Sequence, residues 1–327
     1  MRPQSIPPYA AILAGSLVLA ACGGEGSSDE SGQSGELTSL TVGYPAQGAA
    51  YAELYLCDSE GIWEDYGLDV ELELLNSSSQ LLAALSSNSV QIVGGVGTAS
   101  AAGALQDVPI SFISVPLPYY YMELWGDSSI DSVEDLKGKK IGLSAVGSLG
   151  DIALDAWLER EGWSESDVEK TFLNSSGAAA AGLQQGAVEA VVTQPPNSAR
   201  TGEHGAEKVF DFADIPAAAN AYVTLDEYNE ENSEAVSAFV AAQVECLALA
   251  KDDRDLAVEA IMEYTEDEDR ELAEYSYDFF EPLWQEVPEV APELIEESFA
   301  IAAAEAGEEP PEDVGEYIDN SHVEGAE

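Results

Sequence analysis

Basic residues are scarce in this chain: 11 Lys and Arg stand against 63 Asp and Glu, a formal net charge of -52 over 327 residues. A field of that sign repels nucleic acid and anionic lipid headgroups, which makes both poor partners. The acids are spread through amphipathic segments rather than gathered in one block. That is the pattern of a globular protein kept soluble in strong salt, where repulsion is screened. Histidine is nearly missing too. Only His204 and His322 occur, one on an expected surface helix and one in the final segment, so neither metal-ligand clusters nor a Ser/His/Asp order announces catalysis. Lys137, Lys139 and Lys140 read as surface charges at a helix end, not as a Schiff-base site. No metal and no cofactor are expected.

Long apolar runs are lacking as well. After Arg2, the run over residues 9–20 is too short to span a bilayer as a mature helix and reads as an export signal. It closes in Leu19, Ala20, Ala21 and Cys22, which resembles the bacterial lipobox. That resemblance implies a signal peptide over residues 1–21, lipidation of Cys22, and anchoring on the outer face of the cytoplasmic membrane. Residues 22–36, rich in Gly, Ser and acids, form a flexible tether. In such an oxidising compartment Cys57 and Cys246 are an even pair, either joined or buried as two separate thiols.

The length predicts two lobes. Short apolar strands alternate with helices: strands over residues 40–44, 70–74, 90–93 and 110–115, with helices over 49–60, 81–88 and 99–105 between them. This alternation specifies a parallel sheet covered on both faces. Pro116 and Pro118 break it, because proline cannot continue a central strand, and the aromatic run over residues 119–125 reads as a crossing between lobes. The stretch over residues 130–160 then restarts the pattern. Ser132 caps a short helix that Gly138 ends, residues 141–144 form a strand, and a bare loop over 145–150 opens into a helix carrying Leu154, Trp157 and Leu158. The second half echoes the first, since residues 82–93 (LAALSSNSVQIV) align with residues 180–191 (AAGLQQGAVEAV). Residues 209–212 form another strand, and Tyr222, Val223 and Thr224 carry the chain back. Helices follow to about residue 304, and residues 306–327 read as a solvated acidic tail.

Four strand exits are glycine-rich or bear exposed amides: residues 45–48 (PAQG), 94–98 (GGVGT), 145–150 (AVGSLG) and 193–197 (TQPPN). Small residues let a ligand approach the backbone, and free N–H groups at the following helix starts point at it.

With those pieces in place, the chain resembles the extracytoplasmic solute-binding proteins of ABC importers, in the nitrate/taurine/alkanesulfonate/thiamine-precursor family. The resemblance lies in residues 51–63 (YAELYLCDSEGIW) with 66–70 (YGLDV), 85–90 (LSSNSV), 130–142 (IDSVEDLKGKKIG) and 186–190 (GAVEA), with residues 234–250 as the returning helix. It implies an α/β, two-lobed type II periplasmic-binding-protein clamshell with two hinge crossings. Lobe 1 then comprises residues 37–117 and 223–305, and lobe 2 residues 118–222. The implied partners are a small-molecule solute in the cleft and an ABC permease in the membrane, and the implied state is a monomer. By position, Tyr44, Gln47, Tyr51, Gly97, Thr98, Tyr120, Ser148, Leu149, Gly150, Gln194 and Pro195 line the cleft. No Lys or Arg lies in any of the four exits, and Arg200 is the nearest candidate for an oxyanion. The expected solute is therefore an organic sulfonate, a pyrimidine or thiamine precursor or the like, with the balance toward a neutral or zwitterionic one stacked on Tyr44, Tyr51 or Tyr120. A solute sensor on the same fold and a pyrimidine-forming enzyme of similar fold are the alternatives.

Overall fold

The computed structural model describes residues 37–326, so the expected signal peptide, Cys22 and the whole of the tether lie outside the described residues. The first lobe begins with strand β1 (Thr38–Tyr44), a 3-10 turn (Ala49–Tyr51), helices α1 (Ala52–Ser59) and α2 (Ile62–Asp65), and strand β2 (Leu68–Leu74). Helix α3 (Ser78–Ser86), strand β3 (Ile92–Gly95), helix α4 (Gly97–Leu105) and strand β4 (Ile110–Tyr119) follow.

The second lobe holds strands β5 (Glu123–Gly126), β6 (Lys140–Leu143), β7 (Glu169–Phe172), β8 (Ala190–Thr193) and β9 (Glu207–Asp211). Between them lie helices α5 (Leu149–Arg160), α6 (Ser176–Gln184) and α7 (Asn197–Glu203). The chain returns in strand β10 (Pro216–Leu225) and ends in helices α8 (Asp226–Glu231), α9 (Ser233–Asp252), α10 (Arg254–Thr265), α11 (Arg270–Phe280), α12 (Pro292–Ala306) and α13 (Ser321–Glu324).

Each lobe has a five-stranded sheet, ordered β2-β1-β3-β10-β4 and β7-β6-β8-β5-β9. The expected parallel sheet is in fact mixed. Each contains a parallel trio at one end, while β10 in one and β5 in the other run antiparallel to both neighbours. The internal echo is structural: α3 and α6 are each nine residues long, and each starts on a serine, Ser77 or Ser175, whose hydroxyl accepts from the N–H three residues on. The capping box at Ser132 is present, with Asp135 accepting from the Ser132 N–H at 3.0 Å, and Gly138 adopts φ 71°.

Three boundaries differ from those read in the sequence. Strand β4 runs through Pro116 and Pro118 to Tyr119, because β4 is the edge of its sheet and owes ladder bonds to β10 alone. Its outer side meets the 285–288 segment, where Val115 donates to the Pro288 carbonyl and Gln285 donates to the Pro116 carbonyl, so no proline N–H is needed. The return to the first lobe occurs at Pro216 rather than near residue 223. Ala217, Ala218 and Ala219 carry no apolar alternation, but they are buried in β10 where α4 and α12 press close. The last segment is no solvated tail. Ile318 bridges Phe112 of β4, and Val314, His322 and Val323 are buried.

His322 fastens that segment. Its Nε2–H faces two acceptors, Asn229 Oδ1 at 2.8 Å and Asp319 Oδ2 at 3.2 Å, which leaves Nδ1 to accept from the Ser237 hydroxyl at 2.7 Å. Ser, His and Asp thus meet after all, but around an imidazole only 2% exposed and packed as structure. Cys57 on α1 and Cys246 on α9 are joined, with Cα atoms 5.6 Å apart, which ties the two halves of the discontinuous first lobe. Trp63 stacks on Phe239 at 5.4 Å beside this link. Helix α9 is apolar and long enough to cross a membrane by composition alone, yet its apolar face is buried in this core.

Two outcomes follow for stability. The bridge closes a sequence separation of 189 residues, so the Cys57→Ser/Cys246→Ser protein is expected to lose up to about 5 kcal/mol in urea unfolding. Burial lowers the His322 pKa below its ordinary value of 6.5, so the unfolded chain takes the proton first. The stability that neutral His322 contributes is therefore present above about pH 6.5 and lost as pH falls below it. Urea midpoints of the native protein and His322→Gln at constant ionic strength should converge as pH is lowered from 7.5 to 5.5; parallel curves would contradict this.

Candidate functional site

The exits of β1, β3, β6 and β8 each meet different surroundings. At the β1 exit an aromatic wall forms: Tyr44 and Tyr51 lie 5.6 Å apart, Tyr44 and Tyr55 6.1 Å, and Tyr55 stacks on Tyr264 of α10 at 4.6 Å. The Gly48 N–H donates to the Tyr55 hydroxyl at 3.1 Å, and the Tyr264 hydroxyl bonds Asp58. Gln47 is exposed on the loop above. At the β3 exit, Gly97 and Thr98 are buried behind other elements. A Cβ at Gly97 would fall 2.6 Å from the Ala218 Cβ and 3.0 Å from Ser298 Oγ of α12, which is why the position is glycine.

In the second lobe Leu149 and Gly150 are buried and Ser148 half-buried, with the Ser148 hydroxyl unpartnered. The start of α5 already holds a carboxylate. Asp151 accepts from the Gly147 N–H at 2.9 Å and from Lys170 at 2.8 Å, so the helix start is occupied by the chain's own anion. Gln194 is half-buried, and the buried Pro195 precedes a cis bond to Pro196. Arg200 is engaged: its guanidinium pairs with Asp267, between α10 and α11, at 2.6 Å, a contact from one lobe to the other.

The crossing itself separates two regions. Tyr121 turns toward the tyrosine wall, where it and Tyr51 influence each other's titration, and lies 5.2 Å from Phe280. Tyr120 turns the other way, its hydroxyl pKa raised by burial and by Glu297 and Asp155. Those two acids line a groove of about 1030 Å³ between α5 and α12, with Trp163, Ile215 and Ile301 among its walls. Burial raises the pKa of both, and Arg160 is the one base on the groove. Of the residues expected in the cleft, the structure therefore brings Tyr44 and Tyr51 together, places Tyr120 by the groove, and leaves Gly97, Thr98 and the second-lobe residues in separate settings.

Four polar residues escaped the sequence reading. Glu53, on α1, is 0% exposed. Its Oε1 accepts from the Tyr222 hydroxyl at 2.8 Å, while Oε2 has no partner. Burial pushes its pKa up to about 7, against the bond from Tyr222. Asn220 donates Nδ2 to the Ala50 carbonyl at 3.1 Å and leaves Oδ1 unpartnered. Thr193, on β8, is fully buried with an unpartnered hydroxyl, and it sits directly opposite the buried Glu123 of β5. The signal for Glu53 was available: it is the one charged residue in the apolar run over residues 49–57. Among the described residues no group of three or more His, Cys, Asp or Glu side chains is arranged to hold a metal ion.

Residues 49–257 match the protein family described as NMT1/THI5 like. The periplasmic aliphatic sulphonate-binding protein SsuA of Escherichia coli superposes with a TM-score of 0.72 at 20% identity, covering 83% of this chain and 92% of that one. SsuA of Xanthomonas axonopodis pv. citri, an alkanesulfonate-binding protein solved with MOPS bound, gives 0.71 at 19% identity, covering 88% and 99%. The Candida albicans CA3427 product, described as having the generic periplasmic binding protein structural fold, gives 0.66 at 15% identity, covering 87% and 97%. Likeness at these identities establishes the fold, which is that of the periplasmic binding proteins. No curated protein matches this chain in sequence.

Because Arg200 is paired across the lobes and exposed, Arg200→Ala should cost less than about 1 kcal/mol of stability. It should also leave any calorimetric response to taurine or nitrate unchanged. A response that is present in the native protein and lost in the variant would return Arg200 to the solute.

Proposed function

This chain belongs to the NMT1/THI5-like family, and on that premise we propose that it is the substrate-binding lipoprotein of an ABC importer. It captures a small organic solute between its lobes and delivers it to a membrane permease. The observation that carries the reading is the pair of similar sheets between which the described chain passes at two short crossings, from β4 to β5 and from β9 to β10. Two rigid lobes on two short crossings can rotate about them, and closure then presents both to one partner. The fold shared with sulfonate-binding proteins supports this, as does the tyrosine wall at the β1 exit. The reading includes no chemical step. His204 bonds only the Arg200 carbonyl, at 2.7 Å, and His322 is buried in the C-terminal packing.

Anchoring through Cys22 and a monomeric state belong to the same proposal. Cys22→Ala should release the protein from the membrane fraction; retention there would refute the anchor. Native mass spectrometry of the chain from Gly35 onward should show one protein carrying one small organic molecule, which leaves chemically unchanged on denaturation. An altered product, or turnover of the recovered molecule by purified protein, would make the chain an enzyme instead.

A further inference from the structure

The binding-protein reading leaves the class of solute open, and the unpartnered atoms around α1 narrow it. Asn220 and Tyr222 both reach from β10 to the start of α1, one to the Ala50 carbonyl and the other to Glu53. The two atoms they leave without partners, Asn220 Oδ1 and Glu53 Oε2, are both acceptors on fully buried side chains. A buried acceptor without a donor costs about 1–3 kcal/mol, more for a charged group, and these two belong to side chains that meet the chain at residues 50 and 53, so each marks where a donor is missing. Tyr51 and Tyr121 close the same region, and Tyr44, Tyr55 and Tyr264 continue it as an aromatic wall.

Several bases are committed to acids of the chain itself, Arg254 of α10 to Asp278 among them, while Lys251 at the end of α9 has no ion pair among the described residues. Lys170 is held by Asp151 and Asp155, Lys208 by Glu123 and Asp211, and Arg200 by Asp267. The start of α5 holds Asp151.

We propose that the solute is a small organic cation with N–H donors, an amine or amidinium, that places those donors on Glu53 Oε2 and Asn220 Oδ1 and its apolar part against the tyrosines. This rests on the binding-protein reading and sets the chain apart from a sulfonate or nitrate binder. An amidinium carries two N–H donor groups, one for each of these acceptors, and tyrosine faces favour a desolvated cation. An oxyanion at the same place would be buried beside a carboxyl with no unpaired base to meet it. The groups facing Glu53 are the hydroxyls of Tyr51 and Tyr55 from its own segment, Tyr121 from the crossing and Tyr222 from β10. All four have raised pKa values and stay neutral near pH 7, so Glu53 alone releases a proton to solvent when the cation binds.

The test compares benzamidinium with benzenesulfonate, which share a ring and differ in charge, by calorimetry in 1 M NaCl so that the net charge of -52 is screened. Benzamidinium should bind once per chain and tighten from pH 6 to pH 8 with proton release. Glu53→Gln should weaken it at least tenfold and abolish the proton release while melting no earlier than the native protein without ligand. Asn220→Ser, which keeps the carboxyl, should weaken it less and retain the proton release. Binding of benzenesulfonate, equal binding of benzamidinium to Glu53→Gln, or silence from both probes would each overturn the proposal. A sulfonate recovered one per chain by native mass spectrometry would also overturn it, yet leave the binding-protein reading standing.

Discussion

The antiparallel return of β10 between β3 and β4 is the constraint on which the rest of the first lobe depends. It closes the sheet after the chain has built a whole second lobe, and it brings Asn220 onto the Ala49–Tyr51 turn and Tyr222 onto α1, 170 and 169 residues earlier in the chain. Its small side chains let α4 and α12 come close, to the point that Gly97 has no room for a Cβ. The Cys57–Cys246 bridge repeats the tie one layer out, from α1 to α9. A lobe assembled from distant segments in this way is stiff, which a clamshell needs on both sides of its hinge.

The charge balance shapes the second half of the account. With 11 bases for 63 acids, each Lys or Arg is a scarce resource, and Lys170, Arg200 and Lys208 are held in ion pairs, while Arg160 faces the acidic groove without one among the described residues. Exposed pairs of this kind contribute little. Their value here lies in where they sit: Arg200 to Asp267 joins the lobes on the α7 side, while facing carboxylates line the groove between α5 and α12. Among the described residues no base acts on Glu53, whereas two buried acceptors there lack donors.

Much of the fold was legible because local rules and tertiary structure agree. The capping box at Ser132, the left-handed Gly138, the paired serine caps of α3 and α6 and the alternation of strand and helix are decided within a few residues. The misread places are those where a distant neighbour decides. Prolines are harmless in β4 because the 285–288 segment covers its outer edge, and three alanines form the start of β10 because helices press on them. The final segment looked solvated by composition, but His322 and Val323 are buried in it. In the site, the tyrosine wall was visible as exit aromatics, but Glu53 read as one more acid on a helix. Its role depends on Tyr222, which sequence could not place beside it.

A crystal structure of the protein with its co-purified solute tests the central claim most directly. The account predicts density between the lobes against Tyr44 and Tyr51, with a nitrogen donor within hydrogen-bond distance of Glu53 Oε2. Density confined to the groove between α5 and α12, or an anionic group seated at the start of α5, would contradict it.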